Sequence, residues 1–118
     1  VPLAIEEVRF LGDVVRDELI AALLDLGLED DIPLWEAGMD GEVLAAVSGD
    51  DPFASIGEAL RILVADDRVR VSEGHWRDEP VRVSLDRAME LVVDARWYQY
   101  PPEDHRVYYV NVLNLVDP

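Results

Sequence analysis

The chain reads as one α+β domain, and three observations predict it. Apolar residues recur every three or four positions through much of residues 10–65, the period switches to two at Arg68, and a β-rich run closes the sequence at 106–113. At 118 residues, a division in two would leave each half too small to bury a useful core, so a single domain over 1–118 is expected. Half of the residues are hydrophobic and 31% are charged, the balance of a chain that buries a core and still dissolves.

Between residues 10 and 28, Leu11, Val15, Leu19, Leu23 and Leu26 alternate with Asp13, Arg16, Asp17 and Asp25, which predicts an amphipathic helix with Gly27 as its stop. The acids and proline of Glu29-Asp30-Asp31-Ile32-Pro33 predict a loop leading to an apolar patch at Leu34 and Trp35, and Gly38 and Gly41 bracket a turn. A short helix is expected over 42–47, ended by Ser48-Gly49-Asp50-Asp51-Pro52. Ser55, with Glu58 three residues on, fits a capping box for a helix that buries Ile56, Ala59, Leu60, Leu63 and Val64.

After Asp66-Asp67, Val69 and Val71 alternate with Arg68, Arg70 and Ser72, and Val81 and Val83 alternate with Arg82 and Ser84. Two half-buried strands follow, joined by a loop over 74–80 into a hairpin spanning 68–84. Ser84 is the candidate cap of a helix over 85–93 with Leu85, Ala88, Met89, Val92 and Val93 inward. Pro101-Pro102-Glu103-Asp104 then forms a loop. The run from Arg106 to Leu113 is apolar on both faces, as an interior strand would be. Trp97 and one tyrosine of that strand are expected to complete the core beneath the hairpin.

The order helix, helix, helix, β-hairpin, helix, strand, and in particular the passage Glu58-Ala59-Leu60-Arg61-Ile62-Leu63-Val64-Ala65-Asp66-Asp67-Arg68-Val69-Arg70-Val71, resembles the third helix and wing of a winged-helix domain. Beyond the wing, Trp76 to Val83, the 85–93 segment, Trp97 and Val107-Tyr108-Tyr109-Val110-Asn111 look like small uncharacterised actinobacterial proteins with winged-helix-like cores. The resemblance implies a scaffold and no activity. In DNA-binding winged helices the third helix and wing carry exposed cations. Here 55–65 holds one Arg61 against one Glu58, and Asp50, Asp51, Asp66 and Asp67 flank it.

The formal charge of −16 repels phosphates and anionic lipid and favours basic partners. It is uneven: residues 1–67 hold 17 acids and 3 arginines, a net of −14, whereas residues 68–118 hold 9 acids and 7 arginines, a net of −2. Halophilic adaptation is the plainer account of the excess. With no cysteine there is no disulfide, thiolate metal site or cysteine nucleophile. No apolar run approaches the roughly 20 residues of a membrane-spanning helix, and the first residues lack the pattern of a secretion signal, so a cytoplasmic location is expected.

His75 and His105 stand in predicted loops beside Asp78 and Glu79, and beside Glu103 and Asp104. Imidazole and carboxylate together could hold a cation, but no closely spaced histidine pair accompanies them. The serines lack a Gly-x-Ser-x-Gly elbow, and there is no glycine-rich phosphate loop. No catalytic residue, metal or cofactor is therefore assigned.

The leading expectation is a non-enzymatic protein-interaction module, of inhibitor or adaptor type, that docks a basic partner. Glu29, Asp30, Asp31, Asp50 and Asp51 are its candidate acidic contacts, and Trp76 with Arg77 its candidate anchor, because Trp, Tyr and Arg are enriched at binding hot spots. The alternatives are a transcription regulator reading DNA through Arg68, Arg70, Arg77 and Arg82, and a small metal-dependent enzyme around the two histidines. A homodimer is left open.

Overall fold

A computed structural model describes residues 17–47, 49–99 and 104–115. Among the described residues it is an α+β fold with five helices and a four-stranded antiparallel sheet. The predicted first helix is present over 17–27 (α1) with Leu19 and Leu23 buried; Leu11 and Val15 lie outside the described residues. No described helix is long and apolar enough to cross a membrane.

Gly27 does not end α1 by a left-handed turn, since Gly49 is the only described glycine with positive φ. Its value is close approach: a Cβ there would lie 2.9 Å from the Asn111 backbone N and 3.0 Å from the Tyr109 ring. That proximity satisfies carbonyls a helix end leaves without partners. The Tyr109 hydroxyl donates to Leu23 O at 2.8 Å and the Asn111 amide donates to Leu24 O at 3.1 Å.

The expected loop after α1 contains a short strand, β1 (Ile32–Pro33), followed by the short helix α2 (Leu34–Ala37) in place of a loose apolar patch. Edge position lets Pro33 sit in a strand although it cannot donate. The next helix, α3, is Gly41–Ala46, one residue earlier than expected, with the Asp40 carboxylate accepting from Val43 N at 3.0 Å.

Helix α4 (Pro52–Ala65) begins before Ser55. Its cap is Asp51, whose carboxylate accepts from Ala54 N at 3.1 Å, while Pro52 supplies a preset φ in the first turn. Glu58 pairs with Arg61 across one helical turn. The predicted inward face of α4 is buried throughout. Its end is a Schellman turn: Arg68 N donates to Leu63 O and Asp67 N to Val64 O, with Asp67 in the left-handed region at φ 61°.

Strand β2 (Val69–His75) does pair with β3 (Val81–Arg82), but only through Ser72↔Arg82 and Glu73↔Val81. Val81 is 69% exposed rather than half-buried. The main partner of β2 is β4 (His105–Asn111), which pairs with it from Val69↔Asn111 to His75↔His105. Sheet order is β1-β4-β2-β3, so the last strand is interior, as its two apolar faces predict.

Helix α5 (Leu85–Val92) is capped by Ser84 as expected, the hydroxyl accepting from Arg87 N. Its inward face is rotated from the prediction: Ala88, Leu91 and Val92 are buried, whereas Leu85 and Val93 are exposed. The 3-10 turn Ala95–Tyr98 buries Tyr98, whose hydroxyl donates to Val92 O. Tyr109 is the strand tyrosine that completes the core, and Trp97 packs partly buried against it. Burial pushes both buried phenols, Tyr98 and Tyr109, above the usual tyrosine range.

Candidate functional site

Both histidines lie in strands, not loops, and they face each other. His75 ends β2, His105 opens β4, and the two are direct partners in the register, so their side chains leave the same face of the sheet. Each is engaged by a carboxylate from the opposite side of the ladder. His105 Nε2 lies 2.9 Å from Glu73 Oε2, and His75 Nε2 lies 3.3 Å from Asp104 Oδ2. The neighbouring acids Asp78 and Glu79 do not take that role, because the strand register carries Asp104 to His75. Glu103 lies outside the described residues.

Further bonds tie this end of the ladder together. Arg87 of α5 reaches Glu73 at 3.3 Å. Burial pushes the Glu73 carboxyl up, but hydrogen bonds from Arg87 and His105 outweigh it and hold the group below its ordinary value. Asp104 accepts from the Trp76 indole at 3.0 Å, and its carbonyl accepts from Trp76 N at 2.8 Å. Arg77 lies over the Trp76 ring and Arg96 over the Trp97 ring, each 4.7 Å from the centroid, while the Trp97 ring sits 5.4 Å from that of His105. Trp76 is 49% exposed, so the predicted anchor is available at the surface. Among the described residues, no group of three or more His, Asp or Glu side chains has the arrangement to hold a metal ion.

The predicted acidic contacts are not gathered around Trp76. Asp31 precedes Ile32, which pairs with Tyr109, four residues along β4 from His105. At a rise of about 3.3 Å per residue that is roughly 13 Å. Asp30 accepts from Asp31 N at 2.8 Å and shapes its own turn, Asp51 caps α4, and Asp50 is exposed. Burial and the neighbouring charge of Asp30 raise the Asp31 carboxyl, with Arg82 partly opposing them.

Glu29 belongs instead to a groove the sequence did not single out. Asp25 and Glu29 from the end of α1 face Asp40 and Glu42 from the start of α3, around a cavity of about 310 Å³ with Ala22 and Leu26 in its wall. No arginine is ion-paired with any of the four carboxylates among the described residues. The sequence reading put Asp25 in the first helix and Glu29 in the loop after it, and nothing there placed α3 opposite. The hairpin arginines are dispersed: Arg70 pairs with Asp67, Arg77 covers Trp76, and Arg68 lines a separate groove between α1 and α4.

Comparison with protein-family models, with curated proteins and with solved structures finds no match for this chain.

Proposed function

We propose that this domain is a non-enzymatic protein-interaction module that docks a basic surface of a partner protein in the groove between α1 and α3. The observation that carries the reading is the set of four carboxylates, Asp25, Glu29, Asp40 and Glu42, converging from two helices without an arginine ion pair among the described residues. Asp25 and Glu29 also stand at the carbonyl end of α1, where the helix dipole makes negative charge unfavourable. A cation held there relieves both the mutual repulsion and the dipole. Ala22 and Leu26 give the aliphatic stem of a lysine or arginine something to pack on. Binding of this kind is fast to form and weakened by salt.

The scaffold in this reading is winged-helix-like. Helix α4 leads directly into β2, and β1, β4 and β2 lie side by side, which supports the likeness. The described residues 76–99, with β3 and α5, then enlarge the wing.

The test is a low-salt pulldown with the wild-type protein and a triple variant, Asp25→Asn, Glu29→Gln and Glu42→Gln. Asp40 is left intact because it caps α3. Wild type should retain a basic protein that elutes with salt and that the triple variant does not hold. Recovery of the same basic protein by both would place the contact elsewhere, and recovery of none would remove the reading.

A further inference from the structure

We propose that His75 is a pH-operated latch on the hairpin tip, its neutral ring holding the turn that carries Trp76 and Arg77 and its protonation releasing the Arg77 amide. The two nitrogens of this ring have opposite duties. Nδ1 lies 3.1 Å from the Arg77 backbone nitrogen and accepts from it, while Nε2 faces the Asp104 carboxylate at an ion-pair distance of 3.3 Å. An accepting Nδ1 requires the neutral ring with its proton on Nε2, the nitrogen that faces the carboxylate. A second proton on Nδ1 converts the acceptor into a donor, so two N–H groups meet head on and the Arg77 bond is lost. The charged ring is meanwhile attracted to the Asp104 carboxylate that Nε2 faces. Acid therefore keeps the ring on Asp104 and frees the turn beside it.

The surroundings leave Nδ1 as the sensitive atom. Across the ladder stand His105 and Asp104; on the same strand face stands Glu73, whose carboxylate is engaged by His105 and by Arg87 of α5. The Trp76 ring is stacked alongside His75, and the Arg77 guanidinium covers Trp76. Asp78 N donates to the His75 carbonyl, not to the ring, so it does not respond to ring charge. Histidine is the side chain whose charge changes between about pH 5 and 8. The consequence is that the Arg77 amide at the exposed tip is held while the ring is neutral and freed once the ring is protonated. This inference does not depend on a partner or on the α1–α3 groove.

The experiment is NMR on the full chain, reading the imidazole nitrogens of His75 and the solvent-exchange protection of the Arg77 amide, corrected for intrinsic rate, from pH 8 to pH 5. At pH 8 His75 should be the tautomer protonated on Nε2. On acidification Arg77 protection should fall about five-fold, the size of one net hydrogen bond, while the Asp78 amide changes little. His75→Gln, which cannot titrate, should abolish the response, and His105→Gln should retain it. An Nδ1-protonated tautomer at pH 8, pH-independent protection of Arg77, or a response that survives His75→Gln would each overturn the proposal.

Discussion

Two acidic regions of this molecule have opposite internal economies of charge. At the end of the β2–β4 ladder, Glu73 and Asp104 are both engaged, by His105 and Arg87 and by His75 and Trp76 respectively. In the α1–α3 groove, Asp25, Glu29, Asp40 and Glu42 share the same charge and have no arginine ion pair among the described residues. Engaged carboxylates hold a structure together, whereas crowded unpaired ones lower stability and raise affinity for a cation. The contrast separates ion-paired acids from Asp25, Glu29 and Glu42, which have no arginine ion pair among the described residues, with Asp40 between the two because its carboxylate caps α3.

The largest effect is expected where the groove is built. Gly27→Val places a side chain against the Asn111 backbone, where a Cβ already falls at 2.9 Å. Separating α1 from β4 should cost about 1–3 kcal/mol, as overpacking does elsewhere, and should lower the urea midpoint of unfolding. An unchanged midpoint would mean that α1 does not need this close seat.

Next comes the hub of the ladder end. Glu73→Ala removes the acceptor of both His105 and Arg87 and should cost about 1–2 kcal/mol, discounted because Arg87 is half exposed and can turn to water. The pH dependence has a definite sign. The Glu73 carboxyl is depressed in the folded protein, so its contribution is complete above the ordinary value of 4.5 and is lost as pH falls through the lower folded value. Stability measured from pH 6 down to pH 3 should decline less in Glu73→Ala than in wild type. Equal declines would show that other carboxylates dominate acid unfolding.

The smallest effect belongs to the groove. Asp25→Asn with Glu29→Gln should change stability by no more than about 0.5 kcal/mol, as surface substitutions do, with the sign towards stabilisation because both acids oppose the α1 dipole. A marked loss of thermal stability would erase the distinction between the two regions.

Much of the local structure was legible from particular residues. The α4 face at Ile56, Ala59, Leu60, Leu63 and Val64, the Ser84 cap and the interior character of β4 all follow from periodicity and side-chain chemistry. The errors cluster where two local signals competed. Ser55 and Glu58 matched a capping box, yet Asp51-Pro52 offered both a cap and a preset first turn four residues earlier. Leu85 and Val93 fit an inward stripe by spacing, yet Leu91 took the buried place because α5 packs on both α4 and β2.

By itself the sequence determined the class of fold, the helical periods, the polarisation of charge and the presence of an exposed tryptophan–arginine pair. Only the tertiary structure decided which strand lies beside β2, that Asp104 meets His75 and Glu73 meets His105, and that Asp25 and Glu29 confront Asp40 and Glu42. The physical reason is range. Period, capping and charge act within a few residues along the chain, but a ladder joining residues 69–75 to 105–111 is selected by the burial of Val69, Val71, Val107 and Tyr109 in one core, a property of the whole chain.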